Sequence, residues 1–285
     1  MALSGMGVSR TIFPKFLFLQ NPELHRYLAT LMLILSVLHG GSHMYIRSGK
    51  KKRTIAVTLL LAVLAALLGL LLVPYLDRHF KKVFIDHDEK VMGERLPYEA
   101  DPDTAVVCFT RVGNTDFEAD IDAVSGASLM MASDRLTGNA QLLSEMIHDI
   151  AGYPVKMITL TGEKYPSSYN DTVTVGGREL REMARPEIEY IDVSAYDNVI
   201  LVYPLWWGTI PMPVASFLES QDFTGKTIYL LATQGSSGFG SSKEDVEALA
   251  EGAEVIEALS IYCDDVPDAR KQLLDWLSES SLTFY

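Results

Sequence analysis

The sequence predicts an α/β protein with a doubly wound parallel sheet, preceded by two helices that span a membrane. After residue 103, apolar runs rich in β-branched residues alternate with segments of helical periodicity, which is typical of a parallel sheet with helices on both faces. Before residue 84, the chain is basic and contains two long uncharged segments. We therefore predict a membrane anchor at 1–83, a linker at 84–103 and an α/β domain at 104–285.

The net charge of −13 is divided unevenly between the two parts of the chain. Residues 1–83 hold 11 Lys and Arg against 2 Asp and Glu, whereas residues 84–285 hold 13 against 35. The acidic part would repel phosphates, so we expect no binding of nucleic acid, and it would attract basic partners. The two cysteines, Cys108 and Cys263, exclude a disulfide scaffold and a multi-cysteine metal site, and we expect both to be buried thiols.

Both uncharged segments are long enough to cross a hydrocarbon core of about 30 Å. They cover about 27–46 and 54–76, and the loop between them holds five Lys and Arg residues. We therefore expect a two-pass protein of the cell membrane. The basic loop favours the cytoplasmic side for itself. Because both outer ends are also basic, the side on which the α/β domain lies is left open.

Histidines on the first of these helices suggest a haem site. His25 and His39 are 14 residues apart, which places them on one helix face and about 21 Å apart along its axis. Imidazole is a common axial haem ligand. The stretch from Asn21 to His39 resembles the histidine helix of small b-type cytochrome domains, which implies haem b bound by His25 and His39. The second helix has no histidine, so one chain could supply both axial ligands of a haem only with the help of His79 or of a second subunit. The alternative is that these histidines bind no haem and lie at the membrane interface.

The acidic part alternates between strand patterns and helix patterns. The predicted strands are 104–110, 153–160, 197–203, 226–232 and 255–263. The predicted helices are 139–151, 178–184, 213–220, 242–251 and 266–278. Ligands of such sheets bind at the carboxyl ends of the strands. We therefore expect the chemistry in the loops after the first, third and fourth strands.

These three loops carry recognisable motifs. The first reads Thr-Arg-Val-Gly-Asn-Thr at 110–115, the second contains Tyr-Pro-Leu-Trp-Trp-Gly at 203–208, and the third begins Thr-Gln-Gly-Ser-Ser-Gly at 233–238. In this order and spacing they resemble the flavodoxin-like family, in particular its branch with a Tyr-Pro-x-Trp-Trp-Gly loop. The resemblance implies a five-stranded parallel sheet of order 2-1-3-4-5 and an FMN cofactor.

The residue types of the loops also suit FMN on physical grounds. Hydroxyls and backbone N–H groups at a helix start bind a phosphate. An aromatic wall, and glycines that let the backbone approach closely, suit a flat isoalloxazine ring. The predicted FMN-binding residues are Thr110, Arg111, Thr137, Gly138, Asn139, Ala140, Pro204, Leu205, Trp206, Trp207, Gly208, Thr233, Gly235, Ser236, Gly238 and Gly240.

The phosphate end of this site has alternatives. Both 110–115 and 137–141 qualify as phosphate loops, and we interpret 112–136 as an insertion over the site. The family commonly has threonine where Ala140 stands, so one hydroxyl ligand is missing. Arg111 either offsets this loss by its charge or is a solvated loop residue. The acidic insertion, with Asp116, Glu118, Asp120 and Asp122, is either a docking face or a solvated loop.

The aromatic residues raise two further expectations. Because Trp206 and Trp207 are adjacent, one should pack inward while the other meets the flavin ring. The segment from Tyr165 to Tyr169 follows the second strand, and we expect it to be structural and distant from the site.

The sequence favours a membrane-anchored FMN protein that carries electrons to or from a redox partner protein. An FMN-dependent reductase of quinones or similar acceptors is one alternative. A flavodoxin-like binding domain that has lost FMN is another, supported by Ala140. No acid–base dyad, nucleophile elbow or Walker loop is visible, so the sequence leaves open whether the protein is an enzyme.

Overall fold

The computed structural model describes residues 22–72, 93–97, 101–117, 128–132, 135–235, 237–280 and 282, without the side chains of 22–26 and 131–132. The chain divides into two compact units, Met1–Val83 and Phe84–Tyr285.

The first unit contains two long apolar helices. Helix α1 is Pro22–Arg47, and helix α2 is Lys51–Leu67, which continues as a π-helical turn at Leu68–Leu72. By length and composition, Tyr27–Arg47 and Lys51–Leu72 could each cross a membrane. Residues 73–76, where the second predicted span ends, lie outside the described residues.

Small residues let α1 and α2 approach each other closely. A Cβ atom on Gly41 would collide with Thr58, and one on Gly69 would collide with Thr30. Glycine and threonine at such contacts are typical of helices that pack within a membrane. The large apolar side chains of both helices are instead exposed along their outer faces, as for Leu31 and Leu71.

The second unit is built on seven strands and five α-helices within its described residues. The strands are β1 (Thr104–Phe109), β2 (Leu129–Ala132), β3 (Arg135–Gly138), β4 (Val155–Ile158), β5 (Asn198–Pro204), β6 (Thr227–Gln234) and β7 (Glu254–Tyr262). The helices are α3 (Asn139–Ala151), α4 (Tyr169–Glu182), α5 (Met212–Glu219), α6 (Ser242–Leu249) and α7 (Arg270–Glu279).

Five of the strands form one parallel sheet in the order β4-β1-β5-β6-β7. Numbered among themselves, these strands have the order 2-1-3-4-5, so the predicted flavodoxin-like fold is confirmed. Alternate side chains of β1 pack into the hydrophobic cores on opposite faces of the sheet. Val107 and Phe109 belong to one buried cluster, and Val106 and Cys108 belong to the other. Cys108 and Cys263 are buried thiols, as predicted.

Two predicted helices are wrong in their bounds. Helix 178–184 is longer, because α4 begins at Tyr169, where Ser168 Oγ accepts a hydrogen bond from Asp171 N at 3.2 Å. Helix 266–278 begins as a 3₁₀ turn, Cys263–Asp268, which contains Pro267. The described end of the predicted insertion 112–136 forms the antiparallel pair of β2 and β3, and β3 extends to Gly138, where α3 follows directly.

Within the second unit, an ion cluster connects residues 93–97 to α3 and to the start of α7. The Asp149 carboxylate accepts hydrogen bonds from Arg95 Nη2 at 2.9 Å and from Arg270 Nη2 at 2.6 Å. Arg270 also donates to the backbone oxygen of Glu94. Burial acts to raise the pKa of Asp149, but the hydrogen bonds and charges of Arg270 and Arg95 together hold it below its usual value.

Replacement of Asp149 by asparagine should lower the free energy of unfolding by about 2–3 kcal/mol at pH 7, because it removes the buried negative charge that pairs with Arg270 and Arg95. The pKa of Asp149 is lower in the folded protein than the value of about 3.9 in the unfolded chain. Its charge therefore stabilises the folded state fully above about pH 3.9, and this contribution is lost as the pH falls through the folded pKa. The deficit of the variant should therefore shrink at pH 3. Urea unfolding can be followed by tryptophan fluorescence, since all three tryptophans lie in this unit.

The matched control is Asp275→Asn. Asp275 pairs with Lys271 at 2.6 Å, but both side chains are exposed, so we expect no measurable change in the free energy of unfolding. An equal deficit of the Asp149 variant at pH 7 and pH 3 would contradict the assigned role of its charge.

Candidate functional site

The loops that follow β5 and β6 are in direct contact at the carboxyl edge of the sheet. Leu205 N donates to Thr233 O at 2.8 Å, and Ser241 N donates to Gly208 O at 2.9 Å. Gly240 has a φ of +61°, and a Cβ atom there would overlap the Gly208 carbonyl. This close approach of two backbones explains why position 240 is a glycine.

A tight turn separates the two tryptophans of the first of these loops. Trp206 and Thr209 exchange both backbone hydrogen bonds, at 2.9 and 3.0 Å. Between them, Trp207 has a φ of +53° and Gly208 a φ of +77°. A positive φ at tryptophan is uncommon and costs about 1–3 kcal/mol, so the surrounding contacts must hold this turn.

Both indole rings are fixed by hydrogen bonds. Trp206 packs inward, edge-on to Tyr165 and Phe109, and its Nε1 donates to Ser128 Oγ at 2.7 Å. Trp207 Nε1 donates to Val173 O of α4 at 3.0 Å. Trp206 is therefore the inward member of the pair, and Trp207 lies on the surface of α4.

A glycine in α4 makes room for Trp207. A Cβ atom on Gly177 would lie 2.7 Å from Cζ2 of Trp207. Gly177 therefore lets the helix and the indole meet at van der Waals distance, although glycine lowers helix propensity by about 1 kcal/mol.

The loop after β1 is closed by an asparagine that sequence reasoning did not select. Asn114 Nδ2 donates to Thr110 O and to Ile158 O, both at 2.8 Å, and its Oδ1 accepts from Leu160 N at 2.7 Å. These bonds hold the 110–115 loop against the end of β4. The predicted phosphate motif at 110–115 thus contains an asparagine with a structural role.

The two candidate phosphate loops are neighbours in space. Gly138 is both the last residue of β3 and the N-cap of α3, and it gives that helix no side-chain cap. A Cβ atom on Gly138 would lie 1.8 Å from Thr110 Oγ1. Asn139 N donates to Ser128 O at 3.3 Å, so the start of α3 is tied to the residue that holds Trp206.

Arg111 is fully buried, so the alternative of a solvated loop residue is wrong. Its Nη2 donates to the backbone oxygens of Pro166 and Ser167, at 2.7 and 3.2 Å. Its guanidinium carbon lies 5.3 Å from the ring centre of Phe117. The protein therefore buries a positive charge at the residue that follows Thr110.

Tyr165 is close to the site, contrary to the prediction that this segment is distant from it. Its ring lies 4.9 Å from that of Trp206, and its backbone N–H donates to Asn114 O. Its hydroxyl donates to Glu179 Oε2 at 2.7 Å. Burial is the largest cause that raises the pKa of Tyr165, and it also raises the pKa of Glu179.

The remaining predicted residues are distributed as follows. Pro204 ends β5, Thr233 lies buried near the end of β6, and Gly235 and Gly238 lie in the loop after β6. Ser236 lies outside the described residues, as do Glu118, Asp120 and Asp122 of the insertion. Asp116 forms an exposed ion pair with Lys164 at 2.6 Å.

The haem prediction gains no support from the described part of the chain. The ring of His39 contacts that of His43 edge-on, with centres 4.8 Å apart. The side chain of His25 and all of His79 lie outside the described residues. Among the residues described, no group of three His, Cys, Asp or Glu is placed to bind a metal ion.

A cavity of about 920 Å³ lies beside α3 and the edge strand β4. It borders the 110–115 loop at Val112, Gly113 and Asn114, and it extends along α3 to Asp149. No described residue of the loops after β5 and β6 lines it, so it is separate from the predicted ring site.

Comparison with known proteins found one family and several solved structures that are similar to this chain. Residues 169–279 match the model of a family described as flavodoxin. Putative flavoproteins from Bacteroides uniformis and Bacteroides eggerthii are 19% and 18% identical, and each alignment has a TM-score of 0.44. These alignments cover 62% and 64% of this chain, and 97% and 100% of the other.

A flavoprotein in complex with FMN from Lactobacillus acidophilus is 14% identical, with a TM-score of 0.42, over 60% of this chain and 97% of its own. No curated protein matches the sequence. Because these TM-scores are below 0.5, the assignment of the fold depends on the strand order of the sheet.

Proposed function

We propose that this chain is a membrane-anchored protein that binds FMN and transfers electrons. The observation that carries the proposal is the meeting of three loops at the carboxyl edge of the sheet, after β1, β5 and β6. This edge is where ligands bind in doubly wound sheets. One end of the meeting point has groups suited to a phosphate, and the other has tryptophans and closely approaching glycines.

The residues at the phosphate end fit a dianion. Thr137 Oγ1 and Thr115 Oγ1 are buried and have no hydrogen-bond partner within the described part of the chain. A buried hydroxyl without a partner costs about 1–3 kcal/mol, and a phosphate oxygen at the start of α3 would accept a hydrogen bond from Thr137 Oγ1. Helix α3 starts without a side-chain cap, which suits an anion at the N–H groups that follow Asn139 in its first turn. The buried charge of Arg111 would offset the hydroxyl missing at Ala140.

The ring end is held rigid by the protein itself. The loop residues Trp206–Gly208 and Gly235–Gly240 would border the isoalloxazine, and FMN, when bound, would supply one- and two-electron transfer. Hydrogen bonds already fix both indoles and join the two loops, so little ordering would remain at binding.

The two apolar helices support a membrane anchor, because each is long enough to cross a bilayer. The acidic charge of residues 84–285 favours a redox partner protein with a basic surface. A quinone-like acceptor in the membrane is the alternative partner, and it would make the protein an FMN-dependent reductase.

Purification of the full chain in detergent tests this proposal. We expect a yellow protein that releases FMN on heating, and an apoprotein that binds about one FMN per chain and binds riboflavin more weakly. We also expect the protein to remain with the membranes after alkaline carbonate extraction. A colourless protein that does not bind added FMN would overturn the cofactor assignment, and release by carbonate would overturn the anchor.

A further inference from the structure

The loops after β5 and β6 are joined by a carboxylate as well as by their backbones. Asp245 lies in the first turns of α6, and its Oδ2 accepts a hydrogen bond from Ser241 Oγ at 2.8 Å. The same oxygen accepts the hydroxyl of Thr209, which is two residues after Trp207. A single carboxylate oxygen therefore binds one hydroxyl from each loop.

The position of Asp245 strengthens both bonds. Hydrogen bonds to a carboxylate are about twice as strong as neutral ones. Thr209 is 2% exposed, so its bond is largely shielded from competing water. A negative charge in the first turn of α6 is also favoured by the helix dipole.

The two hydrogen bonds to Asp245 help to hold the strained turn that contains Trp206 and Trp207. Thr209 closes this turn through its backbone bonds to Trp206, while its side chain is held by Asp245. Ser241, the other hydroxyl partner, donates its N–H to Gly208 O. The position of 206–208 relative to the loop after β6 therefore depends on both hydroxyls.

We infer that Asp245 is a positioning residue for the flavin ring. Its carboxylate holds the Trp206–Gly208 turn and the loop after β6 at the spacing that the ring requires, and its charge contributes to the potential at which the ring is reduced. This inference rests on the proposed binding of FMN.

Three variants of the full chain test the inference. Asp245→Ala should raise the FMN dissociation constant about 30-fold or more, since it removes two charge-assisted hydrogen bonds. Asp245→Asn keeps an oxygen acceptor and should cost about threefold to tenfold. Thr209→Val removes one hydroxyl and should combine non-additively with Asp245→Ala, because both act on the same contact.

Two further measurements separate positioning from general destabilisation. The matched control is Glu244→Ala, which removes a neighbouring, exposed carboxylate of the same helix and should leave FMN affinity unchanged. Removal of the Asp245 charge should also raise the midpoint potential of the bound flavin, since negative charge disfavours an anionic reduced ring. The Asn variant, which keeps the shape, should show this shift most cleanly.

The outcomes distinguish the inference from the proposed function. If the wild-type chain binds no FMN, both are wrong. If the wild type binds FMN, and Asp245→Ala matches Glu244→Ala in affinity and in midpoint potential, the inference alone is overturned.

Discussion

Replacement of Arg111 by methionine should weaken FMN binding by about 100-fold, or about 2.7 kcal/mol. Arg111 follows Thr110 in the loop proposed to hold the phosphate, and its side chain is fully buried. Methionine has a similar length and no charge, so it would remove the compensation for the phosphate dianion in a site of low dielectric constant. Titration of the apoprotein with FMN would measure the effect.

Riboflavin provides the decisive comparison, because it has the same ring and lacks the phosphate. If Arg111 acts on the phosphate, the methionine variant should bind riboflavin within about threefold of the wild type, a difference below about 0.7 kcal/mol. An equal loss of affinity for both flavins would instead assign Arg111 to loop structure, through its bonds to Pro166 and Ser167.

Two variants serve as references for this experiment. Arg111→Lys keeps the charge but loses the planar fork, so we expect an intermediate loss of about tenfold. Arg181→Met removes a charge from an exposed position of α4 and should leave both affinities unchanged.

Local patterns in the sequence were sufficient for much of the fold. The predicted helix 139–151 agrees with α3 at both ends, because its apolar positions repeat with a helical period and Gly152 follows it. The central strands β5 and β6 were visible as continuous apolar runs, since both their faces are covered. The strand order followed from the resemblance of the loops, and the sheet confirms it.

The details that sequence reasoning missed depend on contacts between distant residues. Ser128 meets Trp206 across 78 positions, and Thr209 meets Asp245 across 36. The middle of α4 contains Gly176 and Gly177, which oppose helix formation locally, and the helix packs there against the two tryptophans. No local pattern reveals such pairings, because propensity is overridden by tertiary contact.

The same limit applies to Arg111. A charged residue in a polar loop is normally solvated, and its burial depends on Phe117 and on carbonyls 55 and 56 positions away. Arg111 is buried where an arginine is usually solvated, and this unusual environment makes it a candidate for a functional role.

Gly138 should be intolerant of even a methyl group. In Gly138→Ala, the new Cβ atom would lie 1.8 Å from Oγ1 and 2.8 Å from Cβ of Thr110, below any real contact distance. The backbone itself allows alanine, since φ is −89° and ψ is 141°. The collision is therefore purely steric, and we expect a loss of about 1–3 kcal/mol in the free energy of unfolding, together with loss of measurable FMN binding.

A double variant separates the fold from the site in this experiment. Thr110→Ala removes the hydroxyl that Gly138→Ala would strike, so Gly138→Ala combined with Thr110→Ala should regain part of the lost stability. FMN affinity should stay low in the double variant, because the Thr110 hydroxyl and the close packing at the start of α3 are both altered. Gly162→Ala is the matched control, since a Cβ atom there meets nothing within 4 Å. Wild-type FMN affinity in the Gly138→Ala variant would show that this junction does not form the phosphate site.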